Sequence, residues 1–184
     1  MTILNYVKEM ALTMACLLPV WAAVRLAWLK GTSRLLLWKR EVPLALLVLY
    51  LGALAGQTVL PQLRWTGHRL EVAPWGWGGC NYVPFATIRQ MFREVHHPVY
   101  AAVNLLGNVL VFSPLGLFSP MVWKGMARFV PCLLFGAGCS LVIEVLQPLV
   151  GRNQDIDDII LNALGCALGY LVWWTIRRMR KRYD

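Results

Sequence analysis

Residues 129–176 read FVPCLLFGAGCSLVIEVLQPLVGRNQDIDDIILNALGCALGYLVWWTI, and this stretch decides the fold. Two apolar runs, 129–150 and 158–176, flank a short polar turn. Each is close to the roughly 20 residues that a helix needs to cross the hydrocarbon core of a bilayer. The pair predicts a transmembrane helical hairpin. Its polar residues are gathered at one level: Ser140, Glu144 and Gln147 close the first run, and Arg152, Asp155, Asp158 and Asn162 lead into the second. A charge at mid-helix in hydrocarbon costs about 2.5–3.5 kcal/mol even on the lenient insertion scale, so such residues are normally paired and often functional.

Working outward, three more apolar runs of spanning length stand at 9–29, 42–60 and 99–118. The chain has 184 residues, 58% of them hydrophobic and 15% charged, with a mean hydropathy of +0.55. That balance is too apolar for an ordinary soluble domain of this length. The expected fold is all-α: a polytopic membrane bundle of about five transmembrane helices forming one domain over residues 1–184, without internal repeat or linker. The first run reads as a spanning helix rather than a secretory leader, because Lys8 is balanced by Glu9 and Arg25 suits a helix end whose side chain snorkels to the interface.

A net charge of +9 invites a nucleic-acid reading, but the distribution of basic residues argues against it. Lys30, Arg34, Lys39 and Arg40 follow the first run, Lys124 and Arg128 the third, and Arg177, Arg178, Arg180, Lys181 and Arg182 the last. Loops rich in Lys and Arg stay cytoplasmic, so the N-terminus is expected outside and the C-terminus inside. The five cysteines have no paired spacing, and four lie within apolar runs. They read as small core hydrophobes rather than disulfides or metal ligands.

Between the second and third spans lies a loop from Pro61 to Pro98, with Trp75 and Trp77 in a Pro- and Gly-rich run and Thr87–Val95 as a short interfacial helix. Trp favours the depth where its ring is apolar and its N–H wet. In the third span, Pro114 and Gly116 predict a bend or end near Phe112. Gly52 and Gly56 in the second, and Gly165 and Gly169 in the fifth, mark small-residue packing faces.

Helical spacing turns the polar list into geometry, since residues three or four apart share a face. Asn104 and Asn108 stack, as do Ser140, Glu144 and Gln147, and as do Asp155, Asp158 and Asn162 if the last helix begins near Arg152. With the expected topology all three faces reach the same depth, toward the outer leaflet. Asp157 points about 100° away from Asp158 on such a helix and reads as a solvated cap. Arg152 offers a planar fork to phosphate or carboxylate, and the Asn and Gln amides both donate and accept. Glu144 is protonated or ionised according to how near Arg152 lies. Cross-helix bonding of the same groups could serve the bundle alone, although each such bond contributes only about 0.6–2 kcal/mol. A metal held by Glu144, Asp155 and Asp158 is not expected, because neither an HExxH pattern nor a Cys pair accompanies them; Ser140 has no adjacent base.

These residues, in order, resemble the VanZ-like family, membrane proteins named for a member associated with teicoplanin resistance. The pieces are Asn81-Tyr82-Val83-Pro84-Phe85, Asn104-x3-Asn108 running into Phe112-x-Pro114-x-Gly116, Ser140-x3-Glu144-x2-Gln147, and Arg152-x2-Asp155-x2-Asp158-x3-Asn162-x2-Gly165-x3-Gly169. The resemblance covers about 40–175 and leaves the N-terminal helix outside it. It implies a multi-pass protein of the bacterial cytoplasmic membrane that lowers susceptibility to teicoplanin-type lipoglycopeptides, with no cofactor and no agreed reaction.

Two functional expectations follow. In one, Glu144, Asp155 and Asp158 are the candidate catalytic groups, and Asn81, Asn104, Asn108, Ser140, Gln147, Arg152 and Asn162 bind a membrane lipid headgroup or a lipid-linked cell-wall precursor. In the other, the protein is a non-enzymatic accessory that sequesters a lipoglycopeptide antibiotic or joins another envelope protein through its Trp-rich loop. Oligomeric state stays open, since the small-residue faces suit packing within or between subunits. Five spans without a repeat give no sign of the inverted halves of transporters.

Overall fold

In the computed structural model, residues 3–32, 37–59, 63–65, 70–72, 78–94 and 98–183 are described. They form six α-helices: α1 (Ile3–Gly31), α2 (Trp38–Thr58), α3 (Ala86–Glu94), α4 (Pro98–Val122), α5 (Phe129–Leu146) and α6 (Ile156–Tyr183). All but α3 contain apolar stretches of spanning length, at Met10–Gly31, Trp38–Thr58, Leu105–Val122, Phe129–Val150 and Ile156–Arg180. The fold is the expected all-helical, membrane-type bundle, and the five stretches overlie the five apolar runs of the sequence. Short strands accompany them: β1 (Leu63–Trp65) pairs antiparallel with β2 (Leu70–Val72), and β3 (Cys80–Asn81) pairs parallel with β4 (Gln154–Asp155).

Residues 1–60 and 61–184 make two compact units. In the first, α1 packs on the small-residue face of α2. A Cβ on Gly52 would come within 2.6 Å of Leu17, and one on Gly56 would sit 3.7 Å from Thr13. Arg25, expected to snorkel, instead lays its guanidinium on Glu41 in the first turn of α2, with Nε and Nη2 each 2.7 Å from a carboxylate oxygen. The same guanidinium stands 4.5 Å from the centre of the Trp28 ring. Both charges are largely removed from solvent, at 19% and 8% side-chain exposure, so each satisfies the other where neither would be tolerated alone.

The second unit is organised by the crossing of α4 and α6. A Cβ on Gly165 would overlap the Val109 carbonyl, one on Gly169 the Ser113 carbonyl, and one on Gly116 the Cys166 carbonyl. The two backbones therefore meet without intervening side chains, the close approach that small residues permit between membrane helices. α5 closes on the same helix, its Gly136 against Cys166. Below the crossing, buried Cys132, Cys166, Tyr170 and Trp173 form an apolar cluster.

α4 does not end near Phe112 as its prolines predict; it runs unbroken to Val122 with Pro114 and Pro120 inside it. A proline removes the bond to the carbonyl four residues earlier, and here local hydroxyl and thiol groups take its place. Ser113 Oγ donates to the Leu110 carbonyl at 2.8 Å, the acceptor that Pro114 cannot serve. Cys132 Sγ faces the Gly116 carbonyl, the acceptor that Pro120 leaves, at 3.9 Å. Such substitutes are what let proline stand in membrane helices.

Candidate functional site

The polar residues converge where α4, α5 and α6 meet the segment 78–94. Gly151 ends the turn after α5 in a left-handed conformation (φ 75°), and the chain then runs extended as β4. α6 accordingly begins at Ile156, later than the sequence suggests, and Asp155 is its N-cap rather than a member of its polar stripe. Asp155 Oδ1 accepts the Asp157 N–H at 2.9 Å, the bond an N-cap carboxylate makes to the second helical residue.

Asp155 is also the hub of the site. Its Oδ1 accepts Asn81 Nδ2 at 3.1 Å and its Oδ2 accepts the Thr87 hydroxyl at 2.5 Å. Asn81 Nδ2 lies 3.0 Å from Thr87 Oγ1, and its Oδ1 accepts the Val83 N–H at 3.0 Å. From behind, Glu144 Oε2 accepts the Asp155 backbone N–H at 2.8 Å. Glu144 is 1% exposed, and Gln147, with its amide nitrogen turned toward it, donates to both carboxylate oxygens at 3.2 and 3.0 Å. Buried carboxylates need such donors, since an unsatisfied one carries its full desolvation cost.

Two further pairs tie the helices together. Asn108 Nδ2 on α4 donates to Asp158 Oδ1 on α6 at 2.5 Å, and Asn162 Nδ2 on α6 donates to Ser140 Oγ on α5 at 2.9 Å. Asn108 and Asp158 border open space, whereas the Asn162–Ser140 bond is buried.

That space is a cavity of about 330 Å³. α3 roofs it with Thr87, Ile88 and Met91, while Asn108, Asp155, Asp157 and Asp158 supply its polar wall, and Leu105 and Leu161 close its apolar side. Among the described residues, no Lys, Arg or His lines it. Its described polar wall can accept hydrogen bonds from hydroxyl or amine groups.

Most of the sequence's candidate residues therefore come together, in two layers. Asn108, Asp155 and Asp158 border the cavity; Asn81 touches it through Asp155; Glu144 and Gln147 stand behind; Ser140 and Asn162 lie deeper as a helix-to-helix pair. Arg152 is half-buried in the turn, its backbone N–H on the Gln147 carbonyl at 3.1 Å, and its guanidinium makes no hydrogen bond or ion pair with the described residues. The Asn104 side chain, Trp75, Trp77, His96 and His97 lie outside the described residues.

Asp157 is the clear departure from expectation. Far from being solvated, it is 1% exposed: Oδ2 accepts the Ile88 N–H at 3.1 Å and Oδ1 accepts the Phe85 N–H. Thr87 was invisible in the sequence, since a lone threonine in a short amphipathic segment carries no signal of what it faces. The parallel pairing of β3 with β4 is what brings it to Asp155, a contact between residues 68 apart in the chain.

No curated protein and no solved structure matches this chain. A family model does, that of VanZ/LLP1, over residues 46–177, a span that contains every polar residue of the site. With five apolar helices and a family match over most of its length, the chain belongs to the VanZ/LLP1 family of membrane proteins.

Proposed function

We propose that this protein acts in the bacterial cytoplasmic membrane, as a multi-pass protein that lowers susceptibility to teicoplanin-type lipoglycopeptides by binding or modifying the polar headgroup of an envelope lipid or lipid-linked glycan. The observation that carries this reading is the cavity itself: two membrane helices, α4 and α6, and an amphipathic roof border about 330 Å³ lined by Asn108, Asp155 and Asp158. A concave site with a few convergent polar groups is the usual form of a small-molecule site.

Within that reading the residues divide the work. Asp158 borders the cavity and is the carboxyl placed for acid/base or hydrogen-bonding contact with a sugar hydroxyl. Asn108 orients polar substituents, and Asn81 positions Asp155. Glu144 holds Asp155 in place through its backbone. Arg152, in the turn that follows α5, supplies the fork for a phosphate there. The distribution of basic residues favours an outer-leaflet position for this end of the bundle.

The test is teicoplanin susceptibility in a sensitive host expressing the wild-type chain, Asp158→Ala or Arg152→Ala, with membrane levels followed by immunoblot. Loss of protection by a variant present at wild-type level supports the site. Protection that survives both substitutions, or that falls only in step with protein level, sinks it.

A further inference from the structure

The segment between β3 and the end of α3 has two faces, of which the cavity uses only one. Thr87, Ile88 and Met91 turn inward and line the cavity. On the outside, Tyr82, Val83, Phe85 and Phe92 are 65%, 59%, 52% and 60% exposed, an unusual concentration of apolar and aromatic surface on so short a stretch. Arg89 and Arg93 are exposed on the same helix. Arg89 is folded back over the turn, its Nε donating to the Phe85 carbonyl at 3.1 Å, so its charge stands beside the aromatic patch.

The depth of this segment is fixed at both ends by spanning helices. β3 pairs with β4, which stops one residue before Ile156, where the last apolar stretch begins. The inward face of α3 shares the cavity with Leu105 and Asn108 on α4, and with Asp158 and Leu161 in the first turns of α6. α3 thus lies level with the start of the last span.

We infer that Tyr82–Arg93 is a membrane-docking surface: an in-plane plate whose outer aromatic face sits among the lipid headgroups and upper acyl chains while its inner face roofs the cavity. Aromatic side chains and arginines are the residues that settle at that boundary, the rings in the apolar layer and the guanidinium groups among phosphates. The occupant of the face is the bilayer in which the five spans are embedded, with which it is continuous.

The test uses the full chain in vesicles of phosphatidylethanolamine and phosphatidylglycerol, with p-benzoylphenylalanine replacing Phe92 in one sample and Tyr82 in another. Irradiation inserts the probe into a neighbouring C–H bond, and intact-mass measurement identifies what was there. The expected result is a mass increase of one whole phospholipid at both positions. Cross-links to a second copy of the chain or to another protein, without lipid adducts, overturn the proposal. As an independent check, Phe92→Ser should speed amide exchange across α3 in vesicles; exchange unchanged from wild type contradicts a face held by lipid.

Discussion

Asp157 on α6 caps α3 from across the site: its two oxygens accept the N–H groups of Phe85 and Ile88, the residue before the helix and its third residue. Those are the two donors that a capping box satisfies from within its own segment. Phe85 has no side chain able to do so, and its left-handed backbone (φ 63°) needs outside support. One buried carboxylate provides both bonds.

Asp157→Ala should therefore free the start of α3 and strip two backbone donors of their partner, at about 1–3 kcal/mol for each left unsatisfied. Hydrogen exchange should accelerate over residues 85–94 while α5 stays protected. Asp157→Asn keeps one acceptor and should fall between the two. Equal protection of α3 in all three proteins would show that the cap is idle.

Glu144 offers a separation of charge from shape. In Glu144→Gln the new amide oxygen can still accept the Asp155 N–H, and Gln147 can turn to offer its own oxygen to the new amide nitrogen. Thermal stability should drop by less than about 1 kcal/mol, against about 1–3 kcal/mol for Glu144→Ala, which orphans the Asp155 N–H. Should Glu144→Gln fold normally yet lose antibiotic protection, the carboxylate itself is required; if it retains protection, Glu144 only braces Asp155.

The α4–α6 crossing predicts opposite outcomes for two glycines. A methyl at Gly165 would overlap the Val109 backbone, which can give way only by separating the helices, so Gly165→Ala should cost at least about 1–3 kcal/mol in overpacking. Gly138 on α5 has nothing within 4 Å of the added carbon. Gly138→Ala should be neutral or gain about 0.5–1 kcal/mol from reduced chain entropy. Melting of the two purified variants in detergent distinguishes them directly.

For Arg25 and Glu41 the informative experiment is a mutant cycle. Removing either partner leaves the other charge alone and should cost more than replacing both by leucine, which should come close to neutral. Additive losses in the double variant would mean that the two residues act independently.

The spans were legible because hydrophobic length is a one-dimensional signal, and the pairs Asn108–Asp158 and Asn162–Ser140 follow from polar residues placed at equal depth on neighbouring helices. Three features were not. The helical wheel turns Asp157 from Asp158 and predicts a solvated cap, whereas α3 approaches α6 from the side to which it turns. Arg152 stands close to the site in sequence, and the structure leaves it in the turn after α5, outside the described cavity wall. Pro114 and Gly116 predict a bend or end near Phe112, and the sequence does not show the Ser113 rotamer that serves the Leu110 carbonyl as the helix continues.

The ladder that joins Cys80–Asn81 to Gln154–Asp155 also sets an order of biogenesis. Synthesis runs from the N-terminus, so Asn81, Asn108, Ser140 and Glu144 all leave the ribosome before Asp155, Asp158 and Asn162, the residues that later engage them. Until α6 emerges, the nascent bundle holds each of these groups without its eventual mate. Assembly of the site is then a single late event, in which one helix supplies the N-cap hub, the roof anchor and both cross-helix partners together.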